Sequence, residues 1–259
     1  MSDVLLYDVD GAVATLTLNR PEQLNALNRE LSEAYLAALE RARRDDAVRV
    51  VVVTGSGRAF CAGVDLKARA ASEASGPAPN FFAMLRGESQ YDALMEKPMI
   101  AAINGYCLAG GLELALTCDL RVAGEGSRFG MPEIRRGFFP GGGGPQRLPR
   151  MVPQALALEM LLTGDQYAAA EMHRWGLVNR VLPPEQVLAE AQALARTIAG
   201  HAPLAVRALK ELFYAGTEMP LPQALRYGAG LRWIIGQTED AKEGPRAFTE
   251  KREPEYRGR

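Results

Sequence analysis

Glu113 and Glu133 are the acidic residues whose surroundings could do chemistry, because each lies beside glycine-rich backbone. Glu113 sits in the first turn of a short helical pattern, residues 112–117, which the pair Gly110-Gly111 opens. Glu133 stands between Pro132 and Ile134, in a segment that ends in four glycines, 141–144. A glycine at a helix start lets backbone come close to a ligand. The first amides of a helix have no intrahelical acceptor and carry the positive end of the dipole, so they can hold an oxyanion. A carboxylate nearby can move a proton if its surroundings tune its pKa. These residue types therefore fit an acid/base pair beside an anion-stabilising turn. They fit equally an ordinary first-turn helix acid and a surface loop residue, since the dipole favours acids in the first turn anyway.

The elements that must position these groups can be read outward from them. An apolar run at 99–103 predicts a strand leading into a turn at Asn104-Gly105, and a second strand follows at 120–123. Nearer the N-terminus, strand-like runs at 4–8 and 13–18 flank Asp10-Gly11, a hairpin signal. Asn28 is placed to cap a helix over 29–44, whose apolar stripe is Leu31, Tyr35, Ala38, Leu39 and Ala42. The β-branched run 48–54 predicts a strand buried on both faces. The stretch 61–65 reads as a second tight turn, with Asp65 capping a following helix and another backbone N–H left free. Residues 68–80, rich in Ala, Ser, Gly and Pro, read as a mobile loop or frayed helix. Phe81, Phe82, Met84, Leu85, Tyr91, Leu94 and Met95 follow at helical spacing, as a core stripe or a ligand wall.

The pattern changes near residue 150, where an α/β part gives way to a helical one. Helices are expected at 153–163, 168–175, 184–199, 203–215, 222–236 and 238–252, with a short strand at 177–182. Apolar stripes left over on this helical part imply oligomer contacts.

Several function classes are disfavoured. The 259 residues carry 30 basic and 31 acidic side chains, a formal net charge of −1, which gives no footprint for nucleic acid. No apolar run approaches the ~20 residues needed to span a bilayer. A first strand within a few residues of the start leaves no room for a leader and predicts a cytoplasmic location. Cys61, Cys107 and Cys118 form no C-x-x-C, and His173 and His201 lack metal-type spacing, so neither a disulfide framework nor a metal site is expected. Gly55-x-Gly57 lacks the third glycine of a dinucleotide loop, and no Gly-Lys-Ser/Thr follows the four glycines.

Six collinear stretches carry a resemblance over nearly the whole chain: LNRPEQLNALN (18–28), VVVTGSGRAFCAGVDLK (51–67), AAINGYCLAGGLELALTCDLRVA (101–123), FGMPEIRRGFFPGGGGPQRLPR (129–150), LLTGDQYAAAEMHRWGLVNRV (161–181) and EGPRAFTEKREP (243–254). The sequence resembles the enoyl-CoA hydratase/isomerase, or crotonase, superfamily, and among its members the hydratases. The resemblance implies a spiral of ββα units over 1–195 and a C-terminal helical region over 196–259 that assembles trimers or dimers of trimers. It implies an acyl-CoA thioester substrate whose carbonyl oxygen sits between the amides of Val64 and Gly110. Val64 stands where the family usually has alanine; the donor is backbone, so valine keeps it, with its branches at the acyl entrance. Ala62, Asp65, Leu66 and Lys67 match positions lining the CoA, Gln23, Leu24 and Ala26 border the same path, and Phe248 and Lys251 match tail positions that close the adenine–phosphate pocket, across a subunit boundary in some assemblies. Glu113 and Glu133 match the two catalytic glutamates of the hydratases, and Gly141 the glycine whose amide helps hold the water. The implied reaction is addition of water to a trans-2-enoyl-CoA, as in fatty-acid β-oxidation, with no metal or redox cofactor. Isomerases of the family keep one of the two acids; that reaction, another acyl-CoA conversion, or acyl-CoA binding without turnover are the alternatives.

Overall fold

The computed structural model describes residues 3–66 and 95–259. Lys67, the segment 68–80 and the stripe from Phe81 to Leu94 lie outside the described residues. The chain opens with a hairpin, β1 (Leu5–Asp10) and β2 (Val13–Leu18), paired antiparallel across Asp10-Gly11. Helix α1 (Arg29–Arg44) begins where expected, with the Asn28 side chain accepting from the Leu31 amide at 2.9 Å. Leu31, Tyr35, Ala38 and Ala42 are its buried stripe.

From here strands alternate between two sheets. Strand β3 (Val50–Gly55) enters one and β4 (Ala59–Cys61) the other. The step repeats with β5 (Met99–Ile103) and β6 (Tyr106–Leu108), which lead into helix α2 (Gly110–Thr117), and again with β7 (Leu120–Gly124) and β8 (Arg128–Gly130). Two helices follow, α3 (Gly144–Met151) and α4 (Gln154–Thr163), then β9 (Gln166–Ala168), α5 (Ala169–Arg174), β10 (Arg180–Leu182) and α6 (Val187–Ala199). The six-stranded sheet has the order β1-β2-β3-β5-β7-β10 and the four-stranded sheet β4-β6-β8-β9. This is an α/β fold wound as a spiral of ββα turns, each turn giving one strand to each sheet.

Strand β3 is buried on both faces, as its β-branched run predicts. Val50 and Val52 pack under α6 with Val187, Ala191 and Ala195, while Val51 and Val53 face the main core with Leu16, Tyr35 and Phe60. The three-residue strands of the small sheet escaped the sequence reading because they are too short to show a period. The strand expected at 177–182 is confined to β10, because Leu177 and Val178 fold back to bond the Met172 carbonyl.

The last helices are α7 (Pro203–Thr217), α8 (Leu221–Ile235) and α9 (Glu239–Glu250). Asp119, just beyond α2, ties α7 to the core: its carboxylate accepts from Lys210 Nζ and the Tyr214 hydroxyl, each at 2.8 Å. Leu209, Phe213, Leu225 and Trp233 remain exposed on α7 and α8. Among the described residues no helix is long and apolar enough to cross a membrane.

Arg121 anchors the C-terminal end of α2. Its buried guanidinium donates to the carbonyls of Cys118 (2.6 Å), Ala115 (3.2 Å), Asp119 (3.1 Å) and Leu177 (2.6 Å). A helix end leaves carbonyls unpaired and favours a cation, and Arg121 meets both demands. Arg121→Met keeps most of the apolar stem and strips every donor. It should destabilise the fold by about 2–4 kcal/mol, read as a lower urea midpoint at unchanged slope.

Candidate active site

Two turns meet where α2 begins. One follows β4 and contains Ala62, Gly63 and Val64; the other follows β6 and contains Ala109 and Gly110. Gly111 holds them together: a Cβ there would fall 2.1 Å from the Cys61 carbonyl oxygen, so the first turn of α2 lies directly on the end of β4. Ala109 has φ 51° and ψ −128°, a region that residues with a side chain rarely occupy. Both its backbone groups are committed, its amide to the Gly130 carbonyl (2.8 Å) and its carbonyl to the Glu113 amide (3.0 Å), and this double tether keeps the residue there.

Val64 is held by a parallel bridge to Leu27. The Leu27 amide donates to the Gly63 carbonyl (2.7 Å) and the Asp65 amide to the Leu27 carbonyl (3.0 Å), so the Val64 amide points away from that bridge. Neither the Val64 nor the Gly110 amide has an acceptor among the described residues. The side chain of Val64 is 45% exposed, and a Cβ built on Gly110 would lie 3.7 Å from its Cγ2. These two N–H groups thus belong to one corner, with buried Gly110 on its inner side and exposed Val64 on its outer side.

The 20–27 loop supports that corner. Buried Asn25 donates to the carbonyls of Ser56 (2.9 Å) and Ala59 (2.7 Å) and accepts from the Arg20 amide (2.8 Å). The Ala62 amide donates to the Leu24 carbonyl at 3.0 Å, Arg20 Nη1 to the Ala26 carbonyl, and Arg20 Nη2 to the Asp65 carboxylate at 3.0 Å. Gln23, Leu24, Ala26, Ala62, Val64 and Asp65 are therefore knitted into one rim, with exposed Leu66 next in sequence. Phe248, 86% exposed on α9, and Lys251 beyond its end have no hydrogen bond to this rim among the described residues.

The two carboxylates lie under the corner in contrasting surroundings. Glu113, only 3% exposed, accepts at Oε1 from the amides of Gly142 (2.6 Å) and Gly144 (2.9 Å). Burial raises its pKa, and the Gly144 and Gly142 amides and the Arg147 charge oppose the rise. Glu133, 6% exposed, sits in a 3-10 turn, Pro132–Arg136, and its Oε2 has no hydrogen-bond partner among the described residues. Burial pushes its pKa up to about 7; its own amide and Arg136 pull it down, and the Glu113 charge adds to the rise. Glu113 thus has two amide donors that favour its charged form against burial, while Glu133, pushed up to about 7, is poised to hold a proton near neutral pH. Gly141, at the exposed start of the glycine run, has an amide with no acceptor among the described residues.

The structure thus brings together Val64, Gly110, Glu113, Glu133 and the glycine run. Sequence reasoning missed Gly142 and Gly144 as the donors to Glu113, along with Arg147, Asn25 and Arg20. An available signal was the arginine three residues beyond a run of glycines that had no side chains to fix it.

Known proteins place this architecture. The model of the enoyl-CoA hydratase/isomerase family matches residues 8–259. An (E)-benzylidenesuccinyl-CoA hydratase from Thauera aromatica is 41% identical over 255 residues, 97% of this chain and 98% of that one. A carnitinyl-CoA dehydratase from Salmonella heidelberg (strain SL476) is 41% identical over the whole of both chains. The crystal structure of an enoyl-CoA hydratase from Mycobacterium tuberculosis H37Rv superposes with a TM-score of 0.91 at 37% identity, covering both chains completely. A match of this extent, in sequence and in fold alike, means that the chain belongs to the enoyl-CoA hydratase/isomerase (crotonase) family.

Proposed function

We propose that this chain is an enoyl-CoA hydratase, a hydro-lyase that adds water across the 2,3 double bond of a trans-2-enoyl-CoA to give a 3-hydroxyacyl-CoA. The observation that carries the reading is the pair of buried carboxylates in unlike environments, beside a corner with two free amides. Relatives that include a CoA-ester hydratase and a CoA-ester dehydratase support the same reaction class run in either direction.

In this reading the thioester oxygen accepts from the Val64 and Gly110 amides, which draws electron density from C3. The rim of Gln23, Leu24, Ala26, Ala62, Asp65 and Leu66 lines the CoA, Lys67 is assigned to the same path by its sequence match, and Phe248 and Lys251 close its far end. A water held by Glu113, Glu133 and the Gly141 amide adds to C3. Glu113 takes the proton from that water. The enolate formed is held at the corner, where two backbone donors meet the charge as it develops. Glu133 gives its proton to C2. Oxidation states do not change beyond hydration, and the protons move between water and two carboxyl groups, so the reaction needs neither metal nor redox cofactor. The exposed apolar side chains of α7 and α8 support assembly as a homotrimer or a dimer of trimers.

Glu113→Gln and Glu133→Gln should each lower kcat on a short trans-2-enoyl-CoA by on the order of 10²- to 10⁴-fold while CoA-ester binding persists. Loss of the conjugated thioester absorbance measures the rate, and the product distinguishes hydration from 3-enoyl isomerisation. Full activity in either variant would remove the two-carboxylate mechanism. In the hydration direction Glu133 must be protonated, so kcat/KM should fall as pH rises through about 7, where its buried carboxyl loses the proton. Light scattering should give three or six times the 28.1 kDa of one chain.

A further inference from the structure

The glycine turn that grips Glu113 has no side chains of its own to fix it. Three consecutive peptides do the work. The 141–142 and 143–144 peptides each give an amide to Glu113 Oε1, from Gly142 at 2.6 Å and Gly144 at 2.9 Å. The carbonyls of the second and third peptides are both taken by one residue. Arg147 Nη1 donates to the Gly142 carbonyl at 3.0 Å, and the Arg147 amide donates to the Gly143 carbonyl at 2.9 Å. Gly143 itself is left-handed, φ 95°, and the Nη1 end of the guanidinium occupies the space where its side chain would be: a Cβ there would meet Nη1 at 2.0 Å. Glycine backbone has more freedom to lose than any other. Arg147 therefore supplies, from the first turns of α3, the restraint that the glycines lack.

We propose that Arg147 is a positioning residue for the hydration reaction: hooked to Gly142 and packed against Gly143, it holds the turn whose amides aim Glu113. The proposal rests on the reading of Glu113 as the base. Its charge acts in the same sense as its hydrogen bonds, since Arg147 lowers the Glu113 pKa against the effect of burial. Among the described residues the other titratable groups facing this pair are Tyr214 of α7, which acts on Arg147, and Glu133, which feels the Glu113 charge and answers to Arg136.

The test compares wild type, Arg147→Gln and Arg147→Lys, each checked for folding by circular dichroism, on a short trans-2-enoyl-CoA over a range of pH. Arg147→Gln should lower kcat on the order of 10- to 100-fold, because a displaced base loses its near-attack geometry, while KM stays within about twofold since the thioester grip is untouched. Its acid limb in kcat/KM should move to higher pH, because Glu113 without the cation stays protonated further up the scale. Arg147→Lys restores the charge without the planar fork, so the limb should return while kcat recovers only in part. Infrared titration of the Glu113 carboxylate band, identified by its loss in Glu113→Gln, reads the same coupling without substrate. A folded Arg147→Gln with wild-type kcat, limb and band titration would overturn the proposal. If wild type hydrates no enoyl-CoA, the functional reading fails on its own, and the band then decides: unmoved in Arg147→Gln, it overturns the positioning role as well. Should Arg147→Gln not fold, Arg147→Lys carries the test, and unchanged kcat in it would count against the hook.

Discussion

A carboxylate removed from water must have its charge satisfied by something else, and at Glu113 that something is backbone. Two amides reach a single oxygen, and no cation among the described residues forms an ion pair with it. The arrangement fixes much of the surrounding structure. It requires α2 to start beside β4, requires the glycine run to pass over Glu113 before α3 begins, and so sets where Pro132–Arg136 carries Glu133. The same economy recurs in the opposite sense elsewhere. Arg121 is buried among four carbonyls, two of them from residues 115 and 118 at the end of α2, and buried Lys97 donates to the Ala42 and Asp45 carbonyls at the end of α1, each at 2.7 Å. Both cations lie where helix dipoles present negative charge. Glu113, Arg121 and Lys97 are thus met by main-chain groups, a solution whose geometry is rigid because the partners are main chain.

Much of the frame could be read from the sequence because its elements are long enough to display a period. The hairpin at Asp10-Gly11, the Asn28 cap, the strands around Val51 and Ile100 and the helices after residue 150 all have local causes. The small sheet does not: β4, β6, β8 and β9 have three residues each and exist only because the large sheet and α2 hold their ends in place. The two glutamates and the two turns could be named in advance, but not the manner in which they are supported. That Glu113 is held by Gly142 and Gly144, or that Asn25 bridges the 20–27 loop to Ser56 and Ala59, depends on residues some thirty positions apart coming together. Such contacts leave no mark on local spacing.

Glu113 and Glu133 also show how little chemistry separates two roles. The side chains are identical and both are buried, yet one has two donors on an oxygen and the other has a bare oxygen. The difference of environment, not of residue, is what spreads their proton affinities. Since the Glu113 charge adds to the rise at Glu133, a change in the glycine run that alters the charge on Glu113 is felt at Glu133 as well.

The corner formed by Val64 and Gly110 has a consequence for how such a protein diverges. Its two free donors are main-chain N–H groups, so no codon specifies them. Nearly every replacement at position 64 leaves the donor in place, with proline the exception. What heredity can alter is the frame that aims them, such as the tether on Ala109 and the contact of Gly111 with Cys61. Side chains around the corner are free to drift toward new substrates while the grip itself passes unchanged from ancestor to descendant.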